Sequence, residues 1–222
     1  MKDLQAIRGA RLLREWIAQG EHQTQDFKFA ISDARKIARS LSAFANRDGG
    51  RLLIGVKDNG VIAGVRNEED IYVVEQAAER YCRPAQQVSF KAYRIEGNIH
   101  VIVASIDASP EKPVYAIEPD GSSRAYYRIA DENIHAHPLM VRAWQMRNDD
   151  SSATFTLQGP HTAVLDYIAS HPGIDDTRRI ALDLHIAVAT AEDAIASLAA
   201  MELVKFDYQG GHFMISLSEP QV

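Results

Sequence analysis

The chain has 222 residues, 46% of them apolar and 24% charged, with a formal net charge of −6. That suits one large or two small globular domains and excludes a disordered tail. The lone Cys82 excludes an internal disulfide and a cysteine-rich zinc site. No apolar run approaches the roughly 18–20 residues of a membrane-spanning helix. Met1-Lys2-Asp3-Leu4-Gln5 lacks the apolar core of a signal peptide, so a cytoplasmic location is expected.

In chain order, Leu12–Ala18 reads as a short helix and Asp26–Phe29 as a brief strand. Ala34, Ile37, Ala38, Leu41, Phe44 and Ala45 then recur at helical spacing behind Ser32-Asp33. Asn46–Gly50 ends that helix, and Leu52–Val56 is an apolar run that fits a buried strand. Asp58-Asn59-Gly60 predicts a tight turn into a strand over Val61–Val65. Ile71–Tyr81 is helical, and Val88–Ile95 with Asn98–Ile106 predicts a second hairpin about Glu96-Gly97-Asn98. Ala125–Ile129 is a further strand and His137–Gln145 a closing helix.

The polar stretch Arg147–Ser152 marks a boundary. Beyond it come apolar stripes at Ala163–Ile168, Ile180–Leu184 and Ala194–Met201, the last behind Thr190-Ala191-Glu192-Asp193, which resembles a capping box. A hairpin over Val204–Leu217 follows, giving the helix–helix–helix–hairpin layout of a winged helix-turn-helix. The expected architecture is α+β: a mixed-sheet domain over residues 1–148 and a winged helix over 153–222. Residues 151–222 carry three basic and nine acidic groups, and the third helix there has no Lys or Arg, so protein contact suits it better than DNA reading. Its Ala-rich stretch, Ala187–Ala200, allows close packing against a second copy, and a homodimer is expected.

Three stretches in the first domain stand out together. They are Glu21-His22-Gln23-Thr24-Gln25-Asp26-Phe27-Lys28, Ala43-Phe44-Ala45-Asn46-Arg47-Asp48-Gly49-Gly50, and Leu53-Ile54-Gly55-Val56-Lys57-Asp58-Asn59-Gly60. Their order and spacing resemble the AlbA-type domain of the Schlafen family, and Tyr126-Tyr127-Arg128, preceded by Lys112-Pro113-Val114-Tyr115, is similar to its later Tyr-x-x-Arg-type strand. Asp26 stands where that family usually has Glu. The resemblance implies nucleic-acid binding, DNA or RNA, within transcriptional regulation or defence. It also implies, as an alternative, an endoribonuclease acting on structured RNA through two Glu and one Asp. Glu21 and Asp26 match the first two positions and Asp58 is the carboxylate available for the third.

Read without the family, Glu21, Asp26 and Asp58 could bring three hard oxygen ligands to one Mg²⁺ or Mn²⁺ ion, which activates water against a phosphodiester. Lys28, on the same strand face as Asp26, would neutralise a phosphate. Equally, these carboxylates could be surface charges paired with Lys28 and Lys57. Arg35, Lys36 and Arg39 fall on the outer side of the Asp33–Ala45 helix, Arg47 and Arg51 flank its end, and Arg128 sits among tyrosines that could stack on bases. The same pattern also fits a solvated helix face, and a protein-interaction scaffold is the third function that suits the sequence. No Gly-x-x-x-x-Gly-Lys-Ser/Thr loop occurs, so a P-loop is absent and the Gly49-Gly50 pair is better read as a helix stop, with ATP binding left open.

Overall fold

The computed structural model describes residues 7–65, 69–95, 97, 99–149, 157 and 159–219. They form two compact units, one ending at His135 and the other beginning at Ala136. Among the described residues no helix is long and apolar enough to cross a membrane.

The first unit runs β1 (Ile7–Arg8), α1 (Ala10–Ala18), β2 (Gln25–Lys28), α2 (Ala34–Ala45), β3 (Gly50–Ile54), α3 (Glu69–Arg80), β4 (Cys82–Arg83), β5 (Ser89–Arg94), β6 (His100–Ile106), β7 (Tyr115–Ile117), β8 (Ser123–Ile129) and β9 (Glu132–His135). A five-stranded mixed sheet has the order β1-β5-β6-β3-β2, with β1–β5 and β2–β3 parallel. A four-stranded antiparallel sheet has the order β4-β7-β8-β9.

Helix α2 joins the two sheets. Asp33 caps it, accepting the Arg35 N–H at 2.9 Å and the Lys36 N–H at 3.3 Å. Its Ile37, Leu41 and Phe44 share one core with Leu52, Ile54, Ile102 and Ala104 of the larger sheet and Val114, Ala116 and Tyr126 of the smaller one. Helix α1 covers the other face of the larger sheet, where Leu13 packs with Phe27, Leu53, Val101 and Val103.

At the end of α2 the Ala-Phe-Ala-Asn stretch acquires a mechanical meaning. The buried Asn46 amide donates to the carbonyls of Val114 at 2.8 Å and Tyr126 at 2.9 Å, while its Oδ1 accepts the Val114 N–H at 2.7 Å. Ser42 Oγ donates to the Val114 carbonyl at 2.7 Å and accepts the Tyr126 N–H at 3.0 Å. Two polar side chains thus act as a piece of strand between β7 and β8. Gly49, at φ +73°, lets the chain pass so close that a Cβ there would lie 2.7 Å from the Ile106 carbonyl oxygen.

The turn at Asp58–Gly60 forms, but the strand expected over Val61–Val65 reduces to one bridge, Val56 to Ile62. Gly55 and Gly64 both take positive φ, and the N–H groups of Ala63 and Gly64 converge on the Gly55 carbonyl, which ends any ladder. The hairpin over β5 and β6 is present in register Ser89 to Ser105, although Glu96 and Asn98 of its turn lie outside the described residues.

The second unit runs α4 (Pro138–Asp149), α5 (Gly159–Ser170), α6 (Thr177–Asp183), α7 (Val188–Ala200) and the antiparallel hairpin β10 (Val204–Gln209) and β11 (His212–Leu217). The helix expected to close the first domain belongs here. Leu139 and Ala143 of α4 enter the second core, and Arg147 donates to the Ala199 and Ala200 carbonyls, each at 2.8 Å. The polar Arg147–Ser152 stretch therefore follows the division instead of marking it. Helix α7 starts at Val188 behind Ala187, so Thr190 lies inside it and caps nothing. Ala191, Ala194, Ala196 and Ala199 are buried within the unit, so close packing against a second copy has no claim on them.

The Asn46 clamp yields a direct expectation. Asn46→Ala leaves a buried N–H and the Tyr126 carbonyl without their partner, which should cost about 2–4 kcal/mol. Urea unfolding should show a lower midpoint at unchanged slope. An unchanged midpoint would mean the clamp contributes nothing.

Candidate functional site

Strand β2 is an edge strand, and the turn before it is drawn tight. His22 and Gln25 exchange backbone hydrogen bonds of 2.9 and 3.0 Å, and the Gln25 amide donates to the Trp16 and Gly20 carbonyls at 2.7 Å. Glu21 then folds along the strand and accepts the Phe27 N–H at 2.7 Å. That N–H points away from β3 and would otherwise be an open edge donor, so Glu21 stands in for a neighbouring strand.

Glu21 and Asp26 meet through a carboxyl–carboxyl hydrogen bond. Two carboxyl groups can share such a bond only if one is protonated, and the surroundings decide which. Burial, then the contact with Asp26, pushes Glu21 up to about 7, against the opposing Phe27 N–H. Burial works to raise Asp26 too, but the bond from Glu21 and the charges of Lys28 and Arg128 outweigh it, and Asp26 is held below the ordinary range. Lys28 Nζ lies 2.7 Å and Arg128 Nη2 3.4 Å from the Asp26 carboxylate. Asp26 is 4% exposed.

Asp58 does not join them. Asp26 stands opposite Leu52 and Lys28 opposite Ile54, so Asp58 falls beyond the end of the parallel pair, exposed on the turn. Among the described residues no group of three or more His, Cys, Asp or Glu is arranged to hold a metal ion. The expected Mg²⁺ or Mn²⁺ triad is therefore reduced to a carboxyl pair engaged by Lys28, Arg128 and a backbone N–H.

The six expected phosphate contacts also divide. Arg128, at 1% exposure, is closed to any phosphate. Its guanidinium donates to Asn133 Oδ1 at 2.9 Å and the Gln25 carbonyl at 3.4 Å and lies 5.2 Å from the Phe44 ring centre. Arg39 grips both oxygens of the buried Glu118, with Nε to Oε1 at 3.0 Å, and the Tyr126 hydroxyl donates to the same carboxylate at 2.6 Å. Arg39 fastens the end of the smaller sheet's β7 to α2, and Arg128 fastens that sheet to β2. Arg35 lies 4.7 Å over the Tyr81 ring, and Lys36 is exposed beside it.

The remaining two gather at the far end of α2 with partners that sequence reasoning missed. Arg47 stacks 4.8 Å over Tyr127 and donates to the Arg128 carbonyl, and Lys112 Nζ donates to the Arg47 carbonyl at 3.2 Å. Arg47 also lies 3.5 Å from Asp48, to which Gln23 donates. Arg51 donates to Gln25 Oε1 at 2.7 Å and stacks 4.2 Å over Trp16. Lys112, Arg47 and Tyr127 thus form one group of contacts just after α2, and Arg51, Gln25 and Trp16 a second at the start of β2 and β3. Trp16 gives no signal in the sequence beyond its place in an apolar helix. Lys112 belongs to the Lys-Pro-Val-Tyr stretch, but nothing in that stretch marks it as part of a site.

A family model described as Schlafen, AlbA_2 matches residues 21–137. Among solved structures, the chain is similar to the DIP2311 protein from Corynebacterium diphtheriae at 21% identity and TM-score 0.42. That match covers 67% of this chain and 30% of that one, so the chain spans less than a third of that protein's length. It is also similar to the N-terminal domain of an ATP-dependent DNA helicase RecG-related protein from Nitrosomonas europaea, at 18% identity and TM-score 0.40, covering 69% of this chain and 97% of that one. No curated protein matches the chain.

The carboxyl pair makes stability depend on pH with a definite sign. The Glu21 carboxyl stays protonated in the folded chain up to about 7 but ionises near 4.5 when unfolded, so its contribution is full below 4.5 and lost as pH rises to 7. Glu21→Gln keeps both hydrogen bonds without a proton to lose. The difference in unfolding free energy between variant and wild type should therefore grow in the variant's favour across that interval, as read by urea unfolding. A constant difference would show that Glu21 is ionised throughout.

Proposed function

The chain belongs to the Schlafen AlbA_2 family, and from that premise we propose that it binds nucleic acid through the Lys112–Arg47–Arg51 cluster. What carries the proposal is a pair of cation–aromatic contacts four residues apart in sequence, Arg47 over Tyr127 with Lys112 beside it and Arg51 over Trp16, inside or beside the family-matched segment. Cations so placed bind phosphates with release of counterions, and the affinity falls with salt accordingly. Such a binder suits transcriptional regulation or defence.

Binding fits the site better than metal-dependent cleavage of structured RNA. Glu21 and Asp26 are accounted for by the strand edge and the Arg128 pair, and among the described residues a third carboxylate is not with them. The α5–α6–α7 helices and the β10–β11 hairpin of the second unit we assign to a winged helix used for protein contact. Asp193 on its α7 is paired with Arg142 at 2.5 Å, and α7 itself offers no basic side chain to a phosphate.

Affinity for a labelled oligonucleotide, measured over a salt series, tests the proposal. Arg47→Ala with Arg51→Ala should lower the slope of log affinity against log salt by about 0.7–0.9 for each phosphate no longer neutralised. Arg39→Gln, which breaks the Glu118 ion pair instead, should lower thermal stability and leave that slope unchanged. Equal slopes for wild type and the double variant would remove the cluster from the interface.

A further inference from the structure

Resting on the binding function just proposed, we infer that the cluster takes single-stranded rather than duplex nucleic acid, with bases stacking on the guanidinium planes of Arg47 and Arg51. Each guanidinium lies over a half-buried aromatic ring, Tyr127 at 4.8 Å and Trp16 at 4.2 Å, and each is steadied by a second contact, the Arg128 carbonyl or Gln25 Oε1. With one face against a ring, each guanidinium has its other face left for a base, and both residues keep part of their surface in solvent. Unstacked bases bind such planes whatever their sequence, whereas a duplex keeps its base faces covered.

The charge count points the same way. Duplex affinity rises with the number of phosphates neutralised. Here Arg39 and Arg128 are committed to Glu118 and Asp26, and Asp48 lies 3.5 Å from Arg47 among the remaining cations. Three cations with an acid among them make a weak phosphate rail. Two rigid planes with three cations suit a short single strand, to which stacking contributes as much as charge. Stacking on a plane reads no base edge and no sugar, so DNA and RNA strands should fit alike.

The test is fluorescence anisotropy on the full chain with three probes of one 20-nucleotide sequence: single-stranded DNA, single-stranded RNA and the DNA duplex. Both single strands should bind more tightly than the duplex. Arg47→Lys and Arg51→Lys keep the charge and remove the plane, and each should weaken single-strand binding on the order of tenfold at an unchanged salt slope. Tyr127→Leu, which removes the ring beneath Arg47 without touching a charge, should weaken the same two probes. Thermal unfolding of each variant identifies loss by misfolding, and the Tyr127→Leu and wild-type comparisons decide if one Lys variant is unstable. Duplex binding as tight as single-strand binding, or folded variants binding like wild type, would overturn the inference while leaving nucleic-acid binding intact. No binding to any probe would overturn both.

Discussion

A buried carboxylate and a buried guanidinium hold the first unit together. Asp26 comes from the edge of the five-stranded sheet and Arg128 from the centre of the four-stranded one, and they meet at 3.4 Å. Removing such charges from water costs several kcal/mol for each ion, and further partners on both sides offset part of that cost, although the buried Arg128 Nε has no hydrogen-bond partner among the described residues. Asp26 has Lys28 and a protonated Glu21. Arg128 has Asn133 and the Gln25 carbonyl, and Asn133 in turn donates to Ser40 of α2 at 2.9 Å. Two sheets and the helix between them are thereby tied through side chains, as Asn46 and Ser42 tie them at the helix end.

The proposed binding surface adjoins that pair. The Arg128 side chain turns inward while its carbonyl accepts a hydrogen bond from Arg47, which lies over Tyr127. Because Gln25 is pinned to Trp16 and Gly20, its Oε1 is placed to hold Arg51 over Trp16. The interior pair and the exterior planes belong to one network, in which the buried partners restrict the motion of the exposed ones. A rigid stacking surface costs less entropy on binding than mobile side chains would.

Local signals are legible in the sequence where local physics decides. Asp33 and the spacing from Ala34 to Ala45 locate α2, and the alternation over β5 and β6 locates their hairpin, since caps and periodicity act over a few residues. The Ala-Phe-Ala-Asn and Gly-Gly motif is visible as a pattern, but its meaning as a clamp on Val114 and Tyr126 needs partners some 70 to 80 residues away. For the same reason Arg39 and Arg128 read as surface cations: Glu118 and Asp26 lie 79 and 102 positions from them. Asp58 reads as a third ligand because sequence proximity to Val56 says nothing of where the parallel pair ends. The helix Pro138–Asp149 is recognisable, but its allegiance lies in the Ala199 and Ala200 carbonyls that Arg147 finds.

Whether Asp26 and Arg128 act as one unit is measured directly by a double-mutant cycle in urea unfolding. Asp26→Asn and Arg128→Met should each cost about 3–5 kcal/mol, because each leaves the other charge buried without its partner. Together they should cost less than the sum by at least about 1 kcal/mol. Additive losses would mean that the two residues act separately and that something else joins the sheets.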